Sequence, residues 1–276
     1  MKVIFLDYGY SKSQTPQRIA ERLQTILKAN NIELLRNPHM EPREDFLVIR
    51  WGTPRSPELD KKAKGVLNRA EIIKANLDKR YAHKTLIDSE VNAPEFWITW
   101  EEAKSAAREL GCEILRRKLH HTQGKDIIRL KPSSFLPKKR RHGYYVRLLK
   151  KDSEFRLHMM LEKCIGVAQK KPKSDANPLI WNYENGWDIV YIPREERESI
   201  ANWEAMFTEA NRAMKALGFD FGAVDLIMVG DKPYILEVNT APKLHDTGRY
   251  VKPMVRWISK TIGKTLIIPE IEEEEA

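Results

Sequence analysis

The sequence predicts a mixed α/β (α+β) fold, and three observations predict it. Over about the first 65 residues a strand, an amphipathic helix and two further strands follow one another. From Glu113 the hydrophobic period shortens, and six strand-like segments run in succession to Ile192. The length of 276 residues suits one large domain or two to three packed subdomains rather than one small core.

The elements are justified in order. KVIFLDY (2–8) reads as a short buried strand. TPQRIAERLQTILKAN (15–30) reads as a helix, with Thr15 as N-cap and Pro16 in its first turn, where its missing N–H costs nothing. IELL (32–35) and DFLVIRWG (45–52) are further strands. Residues 67–90 carry one continuous helical pattern, ended by NAPEFW. TWEEAKSAARELG (99–111) is a helix stopped by Gly111. EILRRKL, DIIRLK, GYYVRLLK, EFRLHMML, CIGVAQKK and WDIVYI then read as strands joined by loops of Gly, Lys, Pro and Asn. A long helix spans about Glu195–Leu217, the strands AVDLIMV and KPYILEVN follow, and a last helix covers about Tyr250–Ile262.

Composition narrows the function classes. Hydrophobic residues make up 42% and charged residues 32%, a globular balance with a highly charged surface. No apolar run approaches the roughly 20 residues that cross a bilayer. The start MKVIFLDYGY has no signal-peptide pattern, and Cys112 and Cys164 make neither a disulfide framework nor a zinc site. The expected setting is reducing and cytoplasmic, with no membrane partner. The net charge of +9 suits nucleotides, phosphates, a nucleic acid or another acidic partner. Aromatics barely interleave with the basic clusters RRKLHH, KPSSFLPKKRRH, RLLKK and QKKPK, which argues against a base-stacking platform.

The hairpin AVDLIMVGDKPYILEVN carries the most information. Two apolar strands flank Gly230-Asp231-Lys232, and a three-residue loop pairs Val229 with Pro233. Asp225 then lies opposite Glu237, and alternation puts Asn239 on the same face. Facing carboxylates on an apolar sheet repel and lose solvation. They must share a proton, pair with a buried cation, or bind a divalent cation. An all-oxygen set without histidine suits Mg²⁺ rather than zinc. Spacing alone leaves a second reading open, in which these are strand-end acids in solvent or paired with Lys243.

Other candidates are weaker on their residues alone. Arg117 shares a strand face with Leu115 and Leu119 and points toward the apolar side. The loop that follows contains Gly124, which lets the backbone approach a phosphate, and Lys125, which supplies charge. An ordinary basic hairpin explains it equally well. Glu154, Arg156 and His158 share one strand face, which reads as solvated without further context.

Together, LGFDFGAVDLIMVGDKPYILEVNTAP, NLDKRYAHKTLIDSEVNAPEFW and the order from EILRRKLHHTQGKD through SEFRLHMM resemble the ATP-grasp superfamily. They are similar in particular to its carboxylate–amine ligases of the D-alanine–D-alanine ligase and ribosomal-protein-modifying types. The resemblance spans about Leu67–Leu244. It implies two α/β subdomains clasping ATP, here 67–149 and 150–276 with its acidic tail, after a small N-terminal α/β domain of 1–66. It implies ATP and Mg²⁺ as cofactors, with Asp225, Glu237 and Asn239 as metal ligands. Lys79 and Arg117 would meet phosphates beneath the loop holding Gly124 and Lys125, and main-chain groups of Arg147 and Leu149 would meet adenine. Glu154 would bind the ribose, Arg156 would meet phosphate or the acyl substrate, and Lys170 or Lys171 would face the transferred phosphoryl. The chain departs from the pattern at Asp126, where many relatives have a second glycine, and at Arg147, where several have Glu.

The implied activity is ATP-dependent joining of a small-molecule or peptide carboxylate to an amine. A protein or nucleic-acid acceptor is compatible with the basic charge. Ser11 and Ser13, before a helix N-terminus, and His245 are candidate substrate contacts. A small-molecule kinase and a non-catalytic nucleotide- or nucleic-acid-binding module are the rival classes.

Overall fold

A computed structural model of the chain describes residues 1–9, 13–119, 127–177, 179, 181, 183–244 and 248–269. Three sheets organise them. The first is parallel, in the order β2 (Glu33–Arg36), β1 (Lys2–Leu6), β3 (Phe46–Arg50), β4 (Gly65–Leu67). Helix α1 (Thr15–Ala29) crosses from β1 to β2, as a parallel pair requires. A short helix α2 (Leu59–Lys62) precedes β4, of which only Leu67 falls in the expected helical pattern.

That helical region is two helices, α3 (Ala70–Asn76) and α4 (Lys79–Asp88), not one. The break has a local cause. The Asp78 side chain accepts from the Arg80 N–H and caps a new helix. The Asn76 amide donates to Ile72 O at 2.9 Å and to Leu217 O at 3.1 Å, closing the preceding helix against a distant one. The break puts Lys79 at the first position of α4.

The second sheet is antiparallel, in the order β5 (Phe96–Trp97), β8 (Tyr144–Arg147), β6 (Ile114–Arg117), β7 (Ile128–Leu130), and packs on α5 (Trp100–Glu109). A capping box between Thr99 and Glu102 starts α5. The third sheet, also antiparallel, runs β11 (Trp187–Ile192), β10 (Lys163–Pro172), β9 (Ser153–Met160), β12 (Phe221–Val229), β13 (Lys232–Asn239). One face packs on α6 (Trp203–Leu217). The sequence placed a helix from about Glu195. The structure has a 3₁₀ segment at Arg194–Ser199 and starts α6 only after Asn202, which is left-handed at φ 61°.

Helix α7 (Gly248–Ile262) returns to the first sheet. Its Tyr250, Met254 and Ile258 share a core with Val3, Leu23 and Phe221. A Cβ at Gly65 would lie 3.0 Å from Trp257, so glycine sets the closeness of this packing. Thr15 does not cap α1. Gln14 occupies that position without a side-chain bond, and Thr15 Oγ1 instead accepts from the Leu244 N–H at 3.2 Å, tying α1 to the segment after β13.

A second tie joins the end of the first sheet to the start of β12. Asn68, fully buried at φ 61°, accepts at Oδ1 from the Asp220 and Phe221 N–H groups and donates from Nδ2 to Phe221 O. Its own N–H donates to Asp220 Oδ2 at 2.6 Å. Asparagine tolerates this backbone conformation and supplies three of the four bonds from one side chain. Asn68→Ala leaves buried groups unpartnered and is expected to destabilise the protein by about 1–3 kcal/mol. Urea denaturation of variant and wild type checks this, and an unchanged midpoint would refute it.

Candidate active site

The third sheet presents its functional side chains in rows. Tyr191, Ala168, Arg156, Asp225 and Glu237 are successive cross-strand partners from β11 to β13. The neighbouring row on the same face holds Gly166, His158, Ala223 and Asn239. Side chains directly opposite one another lie about 5 Å apart, so an Arg, two acids and an amide converge.

The opposition of Asp225 and Glu237 arises differently from the expected route. The β12–β13 loop has two residues, Gly230 and Asp231, with Val229 paired to Lys232. Gly230 sits at φ 57°, which the first loop position of such a tight turn requires. An uninterrupted ladder from this turn would place Asp225 opposite Leu236. A bulge between the Leu226–Ile235 and Asp225–Glu237 pairs inserts Leu236 and restores the opposition.

Each acid of this face meets a cation. Arg156 donates from Nε to Asp225 Oδ1 at 2.6 Å and from a terminal nitrogen to Oδ2 at 2.7 Å. This bidentate pair spans β9 and β12 and lies deep, with Asp225 5% exposed. Lys79 reaches Glu237 Oε2 at 3.4 Å from the start of α4. Glu154, also buried, accepts from Lys151 at 2.6 Å and from Lys170. The face expected to be solvated therefore holds buried, paired charges.

The electrostatics follow from these contacts. Lys79 is the main cause that holds the Glu237 carboxyl down at about 2, burial opposes it, and Arg117 and Arg156 add to the lowering. The Asp225 charge drives Arg156 above the ordinary arginine value. Burial lowers Lys151, and Glu154 opposes the shift. His158 is pushed down to about 3, first by burial and then by Arg156, Arg249 and Arg197, so it is neutral. Tyr250 gives its hydroxyl hydrogen to Gly222 O at 2.9 Å. His158 Nδ1, 3.2 Å from that hydroxyl, is therefore the donor of their bond.

A cleft of about 640 Å³ lies over this face, between the second and third sheets. Lys79, Arg117, Glu154, Arg156, Lys170, Asp225, Glu237 and Asn239 line it together with Arg147 and Leu149. Leu115, Ile127, Val146, Leu148 and Ile227 add apolar lining. The Arg147 and Leu148 N–H groups are taken by Glu95 O and Glu113 O, each at 2.8 Å. Among the described residues the Leu149 N–H has no hydrogen-bond partner.

Arg117 lies on the cleft face of β6 with Leu115, whereas the opposite face buries Ile114 and Arg116, the latter donating to His142 O. Lys171 is exposed across from Asp188 and does not line the cleft, because strand alternation turns it away from Lys170. Ser13 bonds Thr15 at the start of α1 and is not among the cleft residues. Ser11, Gly124, Lys125 and His245 lie outside the described residues.

Sequence reasoning missed Lys151, Trp181, Tyr8 and His83, which all line the cleft. Lys151 stands three residues before Glu154, an observable spacing, and its ammonium lies 4.0 Å from the Trp181 ring centre. Trp181 stacks on Trp187 at 3.8 Å and carries no local signal. Tyr8 and Gly52 bring the first sheet to the cleft. Gly52, at φ 72°, packs so closely that a Cβ would lie 2.5 Å from the Ala241 Cβ.

Two carboxylates and an amide oxygen form a hard donor set, and Lys79 and Arg156 already supply positive charge to it. Among the described residues no group of three His, Cys, Asp or Glu could hold a metal by itself. The donor set fits Mg²⁺, which takes one or two carboxylates and completes its shell with water and substrate phosphates. Asp225, Glu237 and Asn239 are the residues that would hold it.

The sequence matches no family model and no curated protein. The structure does find relatives in fold. It is similar to the D-alanine–D-alanine ligase of Bacillus anthracis (13% identity, 88% of each chain covered, TM-score 0.59). It is also similar to the ATP-grasp ligase PsnB, solved with a minimal precursor, Mg and ADP (12% identity, 94% of this chain and 97% of that one, TM-score 0.64). A third is a RimK domain ATP-grasp protein from Sphaerobacter thermophilus (15%, 91% and 96%, TM-score 0.56). The chain has the ATP-grasp fold. No described helix is long and apolar enough to cross a membrane.

The Glu237 carboxyl generates a pH prediction. Its value in the fold lies below the ordinary 4.5, so its ionised form stabilises the fold above pH 4.5. That contribution is lost as pH falls toward about 2. The stability difference between wild type and Glu237→Gln is expected to shrink across this window in denaturant titrations. A difference that stays constant from pH 5 to pH 2 would contradict the assignment.

Proposed function

We propose that this protein is an ATP-dependent ligase that activates a carboxylate as an acyl phosphate and joins it to an amine. The observation that carries the reading is the row Arg156–Asp225–Glu237, with Lys79 against it, in a cleft that also has apolar lining. A nucleotide needs both kinds of surface. The ATP-grasp fold and the ligase neighbours support the same reading.

In this reading the apolar lining takes the base, with the Arg147 carbonyl and the Leu149 N–H at its edge. Glu154 takes the ribose hydroxyls. Lys79 and Arg117 orient the phosphates. Asp225, Glu237 and Asn239 would hold Mg²⁺, which would supply charge neutralisation for the bound phosphates. Arg156 and Lys170 stabilise charge on the transferring group, and the surrounding sheets exclude water. A carboxylate oxygen attacks the γ-phosphorus and ADP leaves. The amine nitrogen then attacks the acyl carbon, the carbon–oxygen bond to phosphate breaks, and the amine gives up a proton. The row demands positioning and electrostatics rather than a side-chain nucleophile.

Tyr8, Gly52 and Ala241 bound the cleft beside the metal ligands, where the acid and amine would enter. PsnB was solved with its precursor peptide, and a peptide acid or amine suits a chain of net charge +9. The protein would act in the cytoplasm, where ATP is supplied.

ADP release is expected to require Mg²⁺ and to fall by about 10²-fold or more in Glu237→Gln. Wild-type turnover in that variant would remove the metal assignment. Hydroxylamine added during turnover should trap the acyl phosphate as a hydroxamate. ADP release without hydroxamate would instead indicate phosphorylation of an alcohol.

A further inference from the structure

Every acid in the cleft that the nucleotide reading needs is already bound to a cation of the same cleft. Asp225 has both oxygens on Arg156, Glu237 meets Lys79, and Glu154 meets Lys151 and Lys170. The three pairs differ in how firmly they are held. Lys79 and Glu237 are about one-third exposed at 32% and 30%, and they lie 3.4 Å apart. The Arg156 side chain is 18% exposed and that of Asp225 is buried; they share two bonds and are direct cross-strand partners on β9 and β12. Leaving Asp225 for water in the cleft would cost the guanidinium two charge-assisted hydrogen bonds and leave Asp225 without its counter-charge.

A divalent cation arriving alone would have to displace this guanidinium from Asp225 and leave it buried beside the incoming charge. Two cations in one low-dielectric place repel strongly. A cation arriving with a polyphosphate meets a different situation. The phosphate oxygens offer the guanidinium new acceptors of the same planar geometry, so Arg156 changes partner without losing its counter-charge. Lys79, at the start of α4, can make the same exchange.

We propose that Arg156 closes the metal site to free divalent cations and opens it only to a cation delivered with a nucleotide polyphosphate. The proposal rests on the nucleotide reading of the cleft and adds to it an order of binding and its cause. Arg156 holds Asp225 in place for the metal, and by holding it denies the site to the metal alone. Once phosphate is present the same arginine faces the transferring group. Metal and nucleotide are therefore coupled ligands, and by linkage each must tighten the other by the same factor.

The experiment uses the full chain and Mn²⁺ as the probe. Electron paramagnetic resonance of free Mn²⁺ is expected to show no uptake by the wild type without nucleotide. Calorimetry with the non-hydrolysable β,γ-imido analogue of ATP is expected to show binding in EDTA that tightens about 5- to 150-fold with Mn²⁺, the usual range of coupling between two ligands. Arg156→Gln leaves Asp225 and Glu237 facing each other without the guanidinium. It is expected to gain nucleotide-free Mn²⁺ uptake of at least about tenfold higher affinity than the wild type, with the metal–nucleotide coupling reduced. Arg156→Lys, which can reach only one oxygen at a time, keeps charge in the site should the glutamine variant unfold, and is expected to fall between the two.

Wild-type uptake of Mn²⁺ without nucleotide overturns the proposal and leaves the nucleotide reading intact. So does a folded Arg156→Gln or Arg156→Lys that gains no uptake. If the analogue fails to bind with or without Mn²⁺, the nucleotide reading has failed and the proposal falls with it.

Discussion

Carboxylates on a buried sheet face require counter-charge, and the pair between Asp225 and Arg156 is where this protein supplies it most completely. Both oxygens of one are bonded to the other across adjacent strands. The rest of the site is arranged around that pair. Glu237 stands next in the row because a bulge puts it there, Lys79 neutralises it from a helix start, and Asn239 lies one step along the same face. Remove the guanidinium and two acids about 5 Å apart would confront each other in a poorly solvated place.

Several remote features serve this arrangement. Asp78 ends one helix pattern and starts another, which is why Lys79 occupies a helix N-terminus beside Glu237. The buried, left-handed Asn68 ties the first sheet to the start of β12, so the strand carrying Asp225 is anchored two residues before Gly222. Thr15 and Gly52 bring the first sheet against the segment that follows β13. Local capping and turn chemistry thus fix where the charged groups converge, and packing of α7 against the first sheet closes the assembly.

The acids of the hairpin were legible because a strand otherwise apolar has no reason to carry Asp225, Glu237 and Asn239 on one face. The geometry behind them was not. A loop of two residues with a compensating bulge gives the same opposition as a loop of three without one, and the residue pattern distinguishes the two poorly. The face of β9 was read as solvated because Glu154, Arg156 and His158 are polar. The structure buries Glu154 and His158 and half-buries Arg156, since each finds a partner on another strand or helix. Lys151 and Trp181 were missed as cleft residues for a related reason. Lysines near loops are common, and nothing near Trp181 in the chain announces that it will stack on Trp187.

The sequence by itself determined the periodicities, hence the mixed α/β class and most strands, and it determined which oxygen-bearing side chains share the face of one hairpin. Those are properties of neighbours along the chain or across a tight turn. Only the tertiary structure decided what each acid is bound to. Arg156 is 69 residues from Asp225 and Lys79 is 158 from Glu237. The partner of a buried charge is set by which strands become neighbours and which helix end points at them. That choice is made by the packing of whole elements, not by the residues beside the charge.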